Sequence, residues 1–299
     1  MTGRLKATPE TWLFLALGGV ALLLAQQGAL SVSSPALAVA LAIAVVLTGL
    51  PHGALDPWVA WRAGLWRTRA GLAAFHLAYV ALAVGVLALW QLAPGASLAL
   101  FLAISAWHFG GDWQKELSVW ARAVSGLALL ALPAWAAPAQ VSAIFALLSG
   151  EEGRVLAGWL GVAAPWLALA AAAAALMALP RSPAAAIELG AVGALALLLP
   201  PLVFFLVYFC ALHSPRHLRI AAQSADTGQR RRMVGVAVGY TLLTLAAAAV
   251  LWPWFAGDAA AAPTLETHLI RIVFIGLAAL TWPHMIVVML SERRGRVIS

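Results

Sequence analysis

The stretch Val207-Tyr208-Phe209-Cys210-Ala211-Leu212-His213-Ser214-Pro215-Arg216-His217 carries a long apolar run straight into two imidazoles four residues apart. On a helix, positions i and i+4 share a face, so both rings can reach one metal ion. Two more histidines stand in similar settings, in Pro51-His52-Gly53-Ala54-Leu55-Asp56 and in Trp107-His108-Phe109-Gly110-Gly111-Asp112. Four histidines at the ends of apolar runs predict a metal site built into a membrane protein.

The composition points the same way. Of 299 residues, 64% are hydrophobic and 10% charged, against roughly 25% charged in soluble domains. Several apolar runs reach the roughly 20 residues that cross a bilayer, and the alternating pattern of a membrane β-barrel is absent. The expected fold is therefore all-α: a polytopic transmembrane helical bundle forming one integral membrane domain over residues 1–299. The net charge of +7 is spread over short loops, where it sets topology and does not form a nucleic-acid surface. The single cysteine, Cys210, excludes an intrachain disulfide and reads as packing. The 14 tryptophans suit packing, membrane interfaces and cavities for flat apolar ligands alike.

Along the chain, apolar runs cover about 11–29, 35–52, 71–92, 96–110, 118–149, 155–179, 185–212, 233–252 and 268–290. The first resembles a signal peptide, but it is long and no small-x-small cleavage site follows, so it reads as a first span. Basic residues mark the cytoplasmic side: Arg4 and Lys6, Arg62 to Arg69, Lys115 and Arg122, Arg216 to Arg232, and Arg293, Arg294 and Arg296. Parity then requires either that 118–149 enters and returns, bending near Pro133 and Pro138, or that 185–212 splits at Pro200-Pro201. The first choice is favoured. It gives about eight full spans plus a helical hairpin or re-entrant segment in the plasma (inner) membrane. His52, His108, His213 and His217 then lie near the cytoplasmic ends of their helices, with His76 and His284 at similar depth and His268 on the opposite side.

Imidazole suits iron, zinc or copper, and the ligand type alone does not choose among them. A metal-bound histidine usually passes its other N–H to a carboxylate or carbonyl. Asp56 and Asp112, two of only four aspartates, each follow a histidine by four residues. On a continuing helix each carboxylate would share its histidine's face, to orient the ring or to bind a positive neighbour. Ionisable groups inside a membrane are costly and mark functional sites. The bland alternative is four ordinary interfacial side chains; a shared depth and one i, i+4 pair argue against it. Pro51, Pro215 and Pro283 sit beside histidines, where a lost helix hydrogen bond aims a ring or opens space. Alternatively, Ser214 caps a new helix with Pro215 at its first position, which would separate His213 from His217. Gly53, Gly110 and Gly111 serve close approach of a flat ligand or of another helix. Trp58, Trp61, Trp107, Phe109, Trp113, Tyr208, Phe209 and Trp282 read either as tunnel lining or as interface anchors.

Together the motifs Pro51-His52-Gly53-Ala54-x-Asp56, Trp107-His108-Phe109-Gly110-x-Asp112, His213-Ser214-Pro215-Arg216-His217 and Pro283-His284-Met285 resemble the Brp/Blh family of integral-membrane β-carotene 15,15′-dioxygenases. The resemblance spans residues 51–285. It implies an Fe(2+) enzyme that splits the central double bond of β-carotene with O2 to two all-trans retinal molecules. It further implies that His52, His108, His213 and His217 are the catalytic iron ligands, with the role of His284 left between ligand and supporting residue, and with Asp56 and Asp112 as supporting residues. The substrate would enter from the lipid bilayer. Among rivals, a retinal-binding rhodopsin needs a lysine inside a span, and the only lysines are Lys6 and Lys115. A di-iron-like membrane oxygenase uses about eight histidines or more, against seven here. A haem or metal electron carrier would set His pairs across two helices, and a transporter would show repeats and broken helices at the midplane.

Overall fold

The computed structural model describes residues 7–28, 35–255 and 264–294. Arg4, Lys6 and Arg296, assigned above to the cytoplasmic side, lie outside them. Among the described residues there is no strand, and the protein is an all-α polytopic bundle. In chain order the helices are α1 (Pro9–Gln26), α2 (Pro35–Ala44), α3 (Leu50–Gly53), α4 (Asp56–Arg62), α5 (Arg69–Leu92), α6 (Pro94–Gly110), α7 (Val119–Ala136), α8 (Pro138–Ala178), α9 (Pro183–Leu198), α10 (Pro201–Tyr208), α11 (Ser214–Gln223), α12 (Thr227–Val250), α13 (Trp252–Phe255) and α14 (Leu265–Arg293). Two π-helical turns, Val45–Gly49 and Phe209–His213, join α2 to α3 and α10 to α11 without leaving helical backbone.

Seven of these segments are long and apolar enough to cross a bilayer: α1, the run Pro35–Arg62, α5, α7, α8, α12 and α14. At 17 and 16 residues, α6 and α9 are shorter. Both proline sites singled out for restoring parity carry a break. Ala137 leaves helical geometry (φ −136°, ψ 62°) directly before Pro138, because the proline ring disfavours an α conformation in the residue ahead of it. Pro133 is carried inside α7. Leu199 and Pro200 are extended before Pro201 opens α10. A third break, at Ser149-Gly150, uses the positive φ of Gly150 (64°).

The chain forms two compact units interleaved in sequence: residues 1–37 with 98–213, and residues 38–97 with 214–299. In the first, α7 packs along α8 and α9, and α1 lies on α9, α10 and the Phe209–His213 turn. There α1 seats Phe14 in the core and sets Gly18 against the Leu195 side chain. In the second, α14 packs on α3, α4 and α5, and α3 also meets α11 and α12. Its core joins Leu55, Trp58, Val59 and Ala60 to Ala221, Ala225, Met233 and Val287.

Candidate metal centre

The first unit brings His108 and His213 together. Their Nε2 atoms are 3.1 Å apart and their ring centroids 4.7 Å, nearly perpendicular. His213 Nδ1–H donates to Asp112 Oδ1 at 3.0 Å, which fixes the tautomer and turns the Nε2 lone pair toward His108. Tyr208 O–H donates to the other oxygen, Oδ2, at 2.7 Å. Two nitrogens bound to one ion at about 2.1 Å and at right angles stand about 3.0 Å apart. The pair therefore fits a shared metal ion. Around it, Phe109 meets the His213 ring edge-on at 5.0 Å and Phe209 stacks on it at 5.6 Å. Both phenyl rings are buried, so they keep water from the imidazole.

Close packing sets His108. A side-chain carbon on Gly126 of α7 would collide with the Ala106 carbonyl oxygen, and one on Gly110 with the Arg122 carbonyl oxygen. The bare faces of α6 and α7 thus touch backbone to backbone on either side of His108. Asp112 lies in the short turn Gly111–Trp113 beyond the end of α6. Next to it, Trp113 Nε1–H donates to Glu188 Oε1 at 2.8 Å, and Thr11 O–H donates to Glu188 Oε2 at 2.6 Å. The buried Glu188 so links α1, α9 and the turn that carries Asp112.

The second unit gathers His52, His217 and His284. The His52 ring centroid is 5.8 Å from that of His217 and 5.4 Å from that of His284. The three rings line one pocket with Leu55, Asp56, Val59, Ala221, Val288 and Ser291. His52 Nδ1–H donates to the Gly49 carbonyl at 2.5 Å, which leaves Nε2 as the nitrogen with the lone pair. His284 Nδ1–H donates to Asp56 Oδ1 at 2.8 Å, and Tyr79 O–H donates to Asp56 Oδ2 at 2.8 Å. Asp56 is 1% exposed.

Neither aspartate follows its own histidine's helix. Helix α3 ends at Gly53 and α4 opens at Asp56, while α6 ends at Gly110 before the turn of Asp112. The carboxylates turn instead to histidines on later helices, Asp56 to His284 and Asp112 to His213. Residues 201–223 stay helical through His213 and Ser214, so Ser214 does not start a separate helix. The other two histidines serve local structure. His76 Nδ1–H donates to Leu72 O and its Nε2 accepts from Tyr240 O–H, and His268 stacks on Trp252 at 4.0 Å while donating to its carbonyl. Trp107 is about half exposed, under the Arg122 guanidinium. Tyr79, Glu188, Thr11 and Gly126 escaped the sequence reading. For the tyrosines a signal existed: the chain has three, and all three hydroxyls bond to a buried aspartate or to a histidine.

A family model described as beta-carotene 15,15′-dioxygenase matches residues 43–291. A β-carotene 15,15′-dioxygenase from an uncultured marine bacterium is 31% identical over 253 residues, covering 82% of this chain and 90% of the relative. A protein of Halobacterium salinarum, named a probable β-carotene 15,15′-dioxygenase, is 30% identical over 328 residues, covering 93% of this chain and 92% of the relative. No solved structure matches.

Proposed function

The chain belongs to the β-carotene 15,15′-dioxygenase family, and on that premise we propose that it cleaves the central 15,15′ double bond of β-carotene with O2. One C40 hydrocarbon and one O2 give two all-trans retinal molecules, so the atoms balance. The observation that carries the site is the pair of Nε2 atoms of His108 and His213, 3.1 Å apart, with His213 tethered to Asp112. We assign His52, His108, His213 and His217 as the ligands of one Fe(2+). Iron(II), when bound, would supply the redox-active centre that activates O2. The chain's own residues do the rest. Gly49 O and Asp112 hold the Nδ1 protons of His52 and His213, so that Nε2 of each is the donor. Phe109, Tyr208 and Phe209 pack around His213 and keep the site apolar, which suits a hydrocarbon and excludes competing reactions with water.

A bilayer-dissolved polyene calls for an enzyme embedded in the same phase, and seven apolar helices of spanning length support that setting. By the positive-inside rule, the arginines near the histidine motifs, among them Arg62, Arg219 and Arg230, support a site near the cytoplasmic face of the plasma membrane.

The test is retinal formation in bacterial cells that make β-carotene and express this chain. Wild type is expected to lose carotenoid colour and accumulate retinal, while His213→Ala and His52→Ala keep the colour. Chelation of purified protein should abolish cleavage and Fe(2+) restore it. Well-inserted wild-type protein that forms no retinal refutes the substrate. Activity restored equally by Zn(2+) refutes the iron.

A further inference from the structure

We infer that His284 is a fifth metal-binding imidazole, held for that task by a Tyr79–Asp56 clamp. The inference rests on the metal reading above and extends its ligand set.

The two units repeat one arrangement of the same chemistry. In the first unit, His213 Nδ1–H donates to Asp112 Oδ1 at 3.0 Å and lies 3.2 Å from Oδ2, the oxygen that accepts from Tyr208 O–H at 2.7 Å. In the second, Tyr79 O–H and His284 Nδ1–H occupy the two oxygens of Asp56, at 2.8 and 2.8 Å. In both, the carboxylate is inaccessible to solvent. Burying a carboxylate in apolar surroundings is costly, and here each is used to settle one imidazole tautomer. A hydrogen bond from Nδ1–H to a carboxylate makes Nε2 a better donor to a metal and fixes the ring. His76 and His268, which take no part in the site, bond instead to backbone carbonyls and to a tyrosine or tryptophan.

Distance agrees. A ring centre lies about 3.2 Å from a metal bound at Nε2, so two rings on one ion stand about 4.5 Å apart at right angles and about 6.4 Å apart when opposite. His52 and His284 are 5.4 Å apart, and His52 and His217 are 5.8 Å apart. Both spacings fall inside that window, and all three rings line one pocket. His284 thus stands to His52 as His217 does, and its orienting carboxylate matches that of His213. Tyr79 and Tyr208 are positioning residues: each holds one carboxylate oxygen, so the other stays aimed at its histidine.

The experiment measures Fe(2+) affinity of the full-length protein in detergent, by anaerobic competition with a chelator, together with iron X-ray absorption. Outer-shell changes weaken metal sites about 10–100-fold. Tyr79→Phe is expected within that range. His284→Ala is expected to exceed about 100-fold and to remove one imidazole from the absorption spectrum. Tyr240→Phe, whose partner is His76, is expected to leave affinity unchanged. Should His284→Ala not accumulate in membranes, Asp56→Asn and Tyr79→Phe carry the test, since both keep the ring; affinity unchanged in both overturns the inference. So does His284→Ala with wild-type affinity and an unchanged imidazole count. Wild-type protein that binds no iron overturns the underlying metal reading instead, which separates the two failures.

Discussion

Replacing Gly126 with alanine adds only one methyl group, yet it should nearly silence the enzyme. At Gly126 a Cβ would overlap the Ala106 carbonyl oxygen and stand 2.8 Å from the carbonyl carbon and 3.0 Å from the Gly110 nitrogen. Ordinary carbon contacts need about 3.5–4.0 Å, so the overlap with the Ala106 oxygen forces α6 and α7 apart by more than about 1 Å. All of the atoms met are backbone, and no rotamer change relieves the clash. His108 lies between Ala106 and Gly110 and moves with them. Overpacking of this kind costs about 1–3 kcal/mol of stability, which a multi-helix membrane protein can survive. A misplacement of about 1 Å at a reacting centre costs about 100-fold in rate. Retinal formed per inserted protein should therefore fall about 100-fold, while membrane insertion and helical content stay close to wild type. Gly193→Ala is the matched control: its nearest neighbour would be Leu132 Cδ1 at an ordinary 4.0 Å, and activity should hold. Wild-type turnover by the Gly126→Ala protein would refute the claim that the α6–α7 contact sets His108.

Other substitutions separate the parts of the site. Asp112→Asn can still accept from His213 but loses its charge; iron affinity should fall about 10–100-fold, read by chelator competition. Thr11→Val deprives the buried Glu188 of one donor, which should lower stability by about 1–3 kcal/mol, read as earlier thermal unfolding in detergent with the iron content unchanged. His268→Ala removes a ring stacked on Trp252 and should leave iron content and retinal formation intact, as a histidine outside the site.

The sequence made the histidines legible because polar residues are rare in this chain. With 10% charged residues and seven histidines, an imidazole at the end of an apolar run stands out, and the run itself declares a helix. The partners were harder. Reading Asp56 and Asp112 from their spacing assumed a helix that continued past His52 and His108. Both helices stop at glycine, and each carboxylate finds a histidine 228 or 101 residues away. Such pairings depend on tertiary packing, which local periodicity does not encode. Gly126 was invisible for the same reason, since its importance lies in what α6 places against it. Tyr79 and Tyr208 were visible as letters, but a tyrosine in an apolar run reads equally as an interface anchor until its hydroxyl has a partner.

The prolines show how local chemistry reaches the site. Pro51 and Pro215 each follow a π-helical turn by two residues. A proline offers no N–H to the carbonyl four residues back, and here those carbonyls, of Leu47 and Ala211, lie inside the π turns. Leu50 N–H reaches five residues back to Val45 instead. A wider turn accommodates the missing bond without breaking the helix, and π turns of this kind recur at functional sites. In the second turn it stacks the rings of Phe205, Phe209 and His213 in a column, at 5.2 and 5.6 Å. Pro283 sits in α14 with no such turn. His52 can be steered by its own backbone, through Gly49 O. His284, on a regular helix, takes its orientation from Asp56, and that is why the Tyr79 hydroxyl on the far carboxylate oxygen matters to it.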